Sequence, residues 1–249
     1  VILGVFVADT AYRAARMPNM GETIMGTSFA LGPGGKGSNQ AVASARMGAE
    51  THIISKLGQD DFSKLAFDTW RKAGVIPHVQ QLSSSYTGAA HIFIEDSTGD
   101  NAIIVAPGAA TLIDIAFIHA HAALIADSDV FVTQLEQPMD AAMCGLEIAR
   151  AAGVTTVLNP APAAILPDGM LALCDYVTPN ETECEFLTGI SVRTQSQAKR
   201  ACDVLRDLGV GTPIITMGEQ GAFVHGLGLV PAVIAGNVIE TTGAGDAFN

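Results

Sequence analysis

Basic residues, long apolar runs and paired cysteines are all scarce in this chain of 249 residues. No run approaches the roughly 20 apolar residues that a membrane-spanning helix needs. The opening residues lack the basic, apolar and small-residue regions of a signal peptide. Cys144, Cys174, Cys184 and Cys202 form no CxxC pair and no zinc-type spacing. Four separate thiols fit a reducing compartment, so a cytoplasmic protein is expected. Lysine and arginine number 13 against 25 aspartates and glutamates, and the formal charge of −12 disfavours nucleic acid and anionic membranes as partners. A nucleotide remains compatible, because backbone amides and a metal ion hold phosphates without a basic surface. Neither HExxH nor GxSxG occurs, and His119 and His121, two apart on a predicted helix, cannot share a face. Metallohydrolase and serine-hydrolase chemistry therefore find no support.

What is present is an ordinary folding composition, 49% hydrophobic and 15% charged, on a chain long enough to bury a sizeable core. The opening VILGVFVA reads as one strand buried on both faces of a parallel sheet. Further strands are expected at 52–55, 130–133, 154–158 and 213–217, alternating with helices near 37–48, 62–73, 138–152 and 194–208. In the last helix Ala198, Ala201, Leu205 and Leu208 fall on one face. The alternation predicts an α/β fold with a mostly parallel sheet. Two strand-rich stretches break the rhythm: TIMGTSFAL at 23–31, and a hairpin over 91–105 turning at Ser97–Asp100. They either pair into a small second sheet, acting as a lid or dimer interface, or extend the main one.

GPGGKGSNQ at 32–40 matches G-x-G-x-x-G, but the first strand ends near Ala8 and the acidic pair Asp60–Asp61 lies in a loop beyond the next one. That context argues against the dinucleotide fingerprint, leaving a nicotinamide-dependent oxidoreductase only as a rival that NADH binding would favour, and glycine after Lys36 argues against a P-loop. What remains is a glycine turn opening a helix. It is either a plain turn or a cradle in which Lys36 and Asn39 hold hydroxyls or a phosphate. In VTPNETE, Thr178 as N-cap, Pro179 at the first helical position and Glu181 three residues on make a capping box. Asn180 and Glu183 then share a helical face without being needed by the cap. They are solvated polar residues or a hydrated Mg²⁺ site beside phosphates. TMGEQG follows a predicted strand, and Glu136 and Asp9 each lie just past a strand's carboxyl end, where α/β proteins bind ligands. In TTGAGDAF, Gly243, Ala244 and Gly245 expose successive amides at a helix start. Asp246 beside them is either a dipole-compensating residue or a general base toward a hydroxyl attacking a phosphoryl group.

Taken together, GGKGSNQAVASARMG, LNPAPA, TPNETE, ITMG and TTGAGDAFN, in this order and spacing, resemble the ribokinase branch of the PfkB carbohydrate kinase family, from Val1 to Asn249. The resemblance implies one ribokinase-like α/β domain, doubly wound around a mostly parallel sheet flanked by helices. A small β-sheet lid would come from about 10–32 and 88–106. Family members continue past the GAGD helix, so the domain is expected to be incomplete at its C-terminus. The implied activity is transfer of the γ-phosphoryl group of ATP to the primary (5-) hydroxyl of ribose. The alternatives are a deoxyribose or nucleoside kinase of the same family, or a non-catalytic sugar- or nucleotide-binding homologue. Carried over residue by residue, Asp9, Gly35, Lys36, Asn39 and Glu136 would line the sugar site. Asn180, Thr216, Gly218 and Gly221 would border the nucleotide, and Glu183 would hold Mg²⁺ through water. Gly243, Ala244 and Gly245 would form the anion hole for Asp246 as base. A K⁺ ion near Glu240 and Thr242 and a homodimer through the lid are also implied. Two departures stand out: Val7 replaces the asparagine usual two residues before the sugar-binding aspartate, and Glu240 replaces an aspartate. Losing one hydrogen bond at Val7 would favour a sugar that lacks a hydroxyl.

Overall fold

The computed structural model describes residues 1–233, 236 and 241–249. In chain order the strands are β1 (Ile2–Leu3), β2 (Val7–Ala14), β3 (Ser28–Gly34), β4 (His52–Gly58), β5 (Ile76–Leu82), β6 (Thr87–Glu95) and β7 (Asn101–Gly108), followed by β8 (Val130–Thr133), β9 (Thr155–Leu158), β10 (Tyr176–Val177), β11 (Thr212–Thr216), β12 (Ala222–Val224) and β13 (Gly228–Val230). The helices are α1 (Lys36–Arg46), α2 (Asp61–Ala73), α3 (Ile115–Ala120), α4 (Ala122–Ala126), α5 (Met139–Ala152), α6 (Glu181–Thr188), α7 (Gln195–Asp207) and α8 (Ala244–Phe248).

The large sheet runs β13-β12-β11-β10-β9-β8-β1-β4-β5. Its strands from β11 to β5 are parallel, and β12 and β13 close one edge as an antiparallel hairpin. Helices cover both faces, which is why the central strands read as unbroken apolar runs rather than alternating ones. Leu3 and Ile54 point into a core with Phe131, Leu146 and Leu158, on the side of α3 and α5. Their neighbours Ile2 and Ile53 point the other way, to Phe6, Trp70 and Val132, on the side of α1 and α2. A third apolar cluster joins Cys184, Ala198, Ala201 and Cys202 to Ile215 and Phe223. Leu208, expected on the buried face of α7, instead caps the helix and is 48% exposed.

The opening apolar run is not one strand. β1 ends at Leu3, and the chain then bends and enters β2, which belongs to a separate four-stranded sheet ordered β3-β2-β6-β7. The bend is set by the glycine turn before α1. Gly35 has φ 88°, and a Cβ there would lie 2.6 Å from the Val5 carbonyl oxygen. Ser38 N–H donates to that carbonyl at 3.1 Å. Residues 4–8 are apolar because they are buried between α1 and the small sheet, with Val7 and Ala8 already in β2, not because they continue β1.

In the small sheet β2 and β6 are parallel and the other pairs antiparallel, with Asp9 opposite Gly32 on one side and Ala90 on the other. The strand expected at 23–31 begins only at Ser28. The sheet is tied to the large one through β4 and its loop. Asp60, expected in a loop with Asp61, caps α2 by accepting from Ser63 N–H at 2.9 Å, and its other oxygen accepts from Thr87 N–H at 2.7 Å. Buried Lys56 donates to the Leu112 carbonyl at 2.7 Å, fixing the chain where it returns from β7.

Candidate active site

At the carboxyl edge of the parallel strands, five segments converge: β2, the first turn of α1, the loop after β8, the start of α6 and α8. The first turn of α1 is the hub. Lys36 N–H donates to Glu136 Oε2 at 2.7 Å, and Asn39 Nδ2 donates to Asp246 Oδ2 at 2.8 Å. Both bonds exploit amides that a helix start or a short side chain leaves available.

Asp9 does not lie past the end of a strand; it sits within β2, with its carboxylate packed under Gly34. A Cβ on Gly34 would lie 2.2 Å from Asp9 Oδ2, so this glycine, passed over in the sequence in favour of Gly35, makes the room that the Asp9 carboxylate occupies. Burial holds the Asp9 carboxyl above the usual carboxylate range. Burial also raises that of Glu136; the Lys36 N–H bond and the Lys36 charge oppose the shift, while Asp246 and Asp9 add repulsion. Glu183 is raised by burial as well, relieved by its bond from Asn180 N–H and by Lys36, and raised further by Asp246. Glu136 and Glu183 thus share the charge of Lys36, while Asp246 repels both of them and Asp9 repels Glu136. An anionic ligand needs accompanying cations here.

The capping box at α6 is shifted from the expected place. Asn180 is the N-cap and accepts from Glu183 N–H at 2.8 Å, while Glu183 Oε2 accepts from Asn180 N–H at 2.9 Å. The two residues set aside as surplus to the cap are the cap itself, because Thr178 and Pro179 are buried before the helix begins. The other Glu183 carboxylate oxygen has no hydrogen-bond partner among the described residues. Thr216, at the end of β11, donates its N–H to the Pro179 carbonyl at 3.0 Å and so lies beside the start of α6. Gly218 opens the following turn with φ 53° and open space around it. Gly221 has a backbone reason to be glycine, since a Cβ would lie 2.1 Å from the Val230 carbonyl oxygen.

At α8, Gly243 takes φ 75° and Asp246 is 7% exposed in the first turn. Ala244 N–H donates to the Thr241 carbonyl at 3.0 Å, so this member of the expected anion nest is engaged. The N–H groups of Gly245 and Asp246 have no acceptor among the described residues. Thr242 is exposed in the turn before the helix, and Glu240 lies outside the described residues. No cluster of three or more metal-ligating side chains forms among the described residues. His119 lies in α3, and His121 sits between α3 and α4. All four cysteines are free and buried, and burial raises the Cys174 and Cys202 thiols to about 12.

Gln134 and Asn159, not singled out in the sequence, join Thr178, read there as a helix cap, in a polar row at the strand ends. Gln134, Asn159 and Thr178 directly follow β8, β9 and β10, and each is buried. Gln40 of α1 bridges the first two, accepting from Gln134 Nε2 and donating to Asn159 Oδ1 at 3.3 Å. Their position after short strands was the available signal.

Asp246, held by the Asn39 side-chain amide, thus lies beside the acids Glu136 and Glu183 at the carboxyl edge of the parallel strands. The pfkB family carbohydrate kinase model matches residues 2–249. The chain is 39% identical over 252 residues to ribokinase of Haemophilus influenzae, covering 100% of this chain and 82% of that protein. It is 34% identical over 256 residues to deoxyribokinase of Salmonella typhi, covering 99% of this chain and 82% of that one. The structure of Arabidopsis thaliana ribokinase complexed with ribose and ATP superposes with a TM-score of 0.94 at 28% identity, covering 99% of this chain and 82% of the other. The chain belongs to the pfkB family of carbohydrate kinases. It is a phosphotransferase acting on a sugar hydroxyl.

Proposed function

We propose that the chain phosphorylates the primary 5-hydroxyl of D-ribose with ATP, with Asp246 as general base. The carrying observation is the Asn39–Asp246 bond of 2.8 Å, which orients one buried carboxylate oxygen and leaves the other for the sugar hydroxyl. Asp9 and Glu136 accept from the remaining hydroxyls, and Lys36 and Asn39 donate to them. The hydroxyl oxygen forms a bond to the γ-phosphorus as the bond to the ADP oxygen breaks, and the hydroxyl proton passes to Asp246. In a loose transition state that proton is received late, so a weakly basic carboxylate suffices when it is well placed. The amides of Gly243, Gly245 and Asp246, with Ala244 once its bond to Thr241 opens, stabilise charge on the phosphoryl oxygens. Asn180, Thr216, Gly218 and Gly221 border the nucleotide.

Glu183 fits a role beside Mg²⁺, since it is a buried acid with one oxygen uncommitted, close to Asp246 and Lys36. It would hold the ion through water, and the ion would neutralise the phosphates. Thr242 and Glu240 belong to the segment where K⁺ would act. The small sheet serves as a lid. Its face away from Asp9 exposes Tyr12, Phe29, Leu31 and Ile104, which supports a homodimer through that sheet. The cytoplasm is the expected location.

One observation favours a second reading, 2-deoxyribose. Val7 lies two residues before Asp9 on the same face of β2 and is 6% exposed among Val5, Ala90 and Ala110. It offers no hydrogen bond to a sugar hydroxyl. A coupled assay with MgATP against ribose, 2-deoxyribose and adenosine separates the readings. Absence of turnover on all three refutes the proposal.

A further inference from the structure

Three consecutive strands of the large sheet end in a buried polar side chain, at Gln134, Asn159 and Thr178, and the backbone pairing sets them in one row. Asn159 N–H donates to the Thr133 carbonyl and Thr178 N–H to the Leu158 carbonyl, both at 3.0 Å. Gln40 turns the row into a relay. Gln134 Nε2 donates to Gln40 Oε1, Gln40 Nε2 to Asn159 Oδ1 at 3.3 Å, and Asn159 Nδ2 to the Thr178 carbonyl at 3.2 Å. Gln40 and Asn159 each donate forward and accept from behind, while Gln134 begins the chain with its own Oε1 unpaired among the described residues; reversing Gln40 or Asn159 sets donor against donor. Gln40 is 2% exposed and Gln134 is fully buried. Beyond Thr178 the relay reaches α8: Thr178 Oγ1 donates to Asn249 Oδ1, and Asn249 Nδ2 donates to the Gly245 carbonyl at 2.7 Å.

None of these side chains hydrogen-bonds to Asp9, Lys36, Asn39, Glu136 or Asp246. Gln40 nevertheless follows Asn39 directly, and Asn39 holds the Asp246 carboxylate. We propose that Gln40 is a positioning residue, locking the first turn of α1 to the strand ends so that Asn39 presents Asp246 at a fixed angle. The inference rests on the kinase reading above. A buried amide chain is a costly way to fill a core, since apolar side chains of the same shape pack there at little or no loss. What the amides add is a single allowed geometry.

The test compares Gln40→Met and Gln40→Glu with the wild type, well below their melting temperatures. Gln40→Met keeps the volume and removes both bonds. It is expected to lower kcat about ten- to hundredfold while KM for sugar and ATP stays within about threefold. Combined with Asn39→Ala it should add little further loss, because the two act through one contact. Gln40→Glu, when protonated, can accept from Gln134 and donate to Asn159 as the amide does. Its kcat relative to wild type should therefore rise as pH falls from 8 to 5; the charged groups shared by the two proteins act on both and are removed by taking the ratio. A folded Gln40→Met with unchanged kcat, full additivity with Asn39→Ala, or a flat Gln40→Glu ratio overturns the proposal. If Gln40→Met does not fold, the Gln40→Glu ratio decides alone. A wild type without sugar turnover removes the kinase reading and this inference together, whereas an active wild type beside an unaffected variant removes only the inference.

Discussion

Adding one methyl group at Gly34 should separate the sugar site from the fold. A Cβ built there lies 2.2 Å from Asp9 Oδ2, 2.5 Å from Cγ and 2.6 Å from Oδ1, so no rotation about the carboxylate axis clears it. Comfortable carbon–oxygen contact requires the group to retreat by roughly 1 Å or more. A displacement of that size at a hydroxyl-binding acid costs on the order of 100-fold in kcat/KM, about 2.7 kcal/mol. Stability should change little, because Asp9 is only half-buried and its side chain can swing toward solvent. Gly35→Ala, one residue on, should behave oppositely. Its φ of 88° and the Val5 carbonyl 2.6 Å from the added Cβ are backbone conflicts, and about 2 kcal/mol or more of stability should be lost. The coupled assay, sugar calorimetry and thermal melting of both variants give the comparison. A Gly34→Ala protein with sugar affinity and kcat/KM within threefold of wild type would refute the placement of Asp9 in the sugar site.

The buried acids make a prediction about pH. Glu136 has a folded-state pKa raised by burial, so the unfolded chain loses this proton first and its ionisation costs stability as pH rises through and above the ordinary carboxylate range. Glu136→Gln, whose amide oxygen can still accept from Lys36 N–H, should melt higher than wild type at pH 7, with the difference shrinking toward pH 4, while sugar binding is lost. A variant less stable at pH 7 would show that pairing with Lys36 outweighs burial. Val7→Asn should shift the ratio of kcat/KM values toward ribose over 2-deoxyribose by about tenfold, the worth of one hydrogen bond. It should also cost about 1–3 kcal/mol of stability without sugar, because the amide enters an apolar pocket. An unchanged ratio would take Val7 out of the specificity argument.

Most of the large sheet was legible because its elements are periodic and bounded by turn residues. The predicted strand at 130–133 is β8, and the predicted helix at 62–73 is α2 to within one residue. VILGVFVA failed for a physical reason. Apolarity reports burial, and residues 4–8 are buried by α1 and the small sheet rather than by their own neighbours in the main sheet. The shifted capping box shows a similar limit. Thr178 and Asn180 are both good caps, and only the burial of Thr178 against the strand ends decides between them. In the site, motif residues were readable as chemistry, and Lys36, Asn39, Glu136 and Asp246 do converge. Gly34 and Gln40 were not readable in advance. Their roles arise from contacts across 25 residues to Asp9 and across 94 and 119 residues to Gln134 and Asn159.

The general-base role of Asp246 is tested most directly by Asp246→Asn, with single-turnover phosphoryl transfer and sugar calorimetry measured on the same preparation. The isosteric amide keeps an oxygen for Asn39 Nδ2 and removes the proton acceptor. The expected result is a transfer rate lower by about 10²–10⁴-fold with sugar affinity within about tenfold of wild type. Transfer within tenfold of wild type, or rate and affinity falling together, would contradict it.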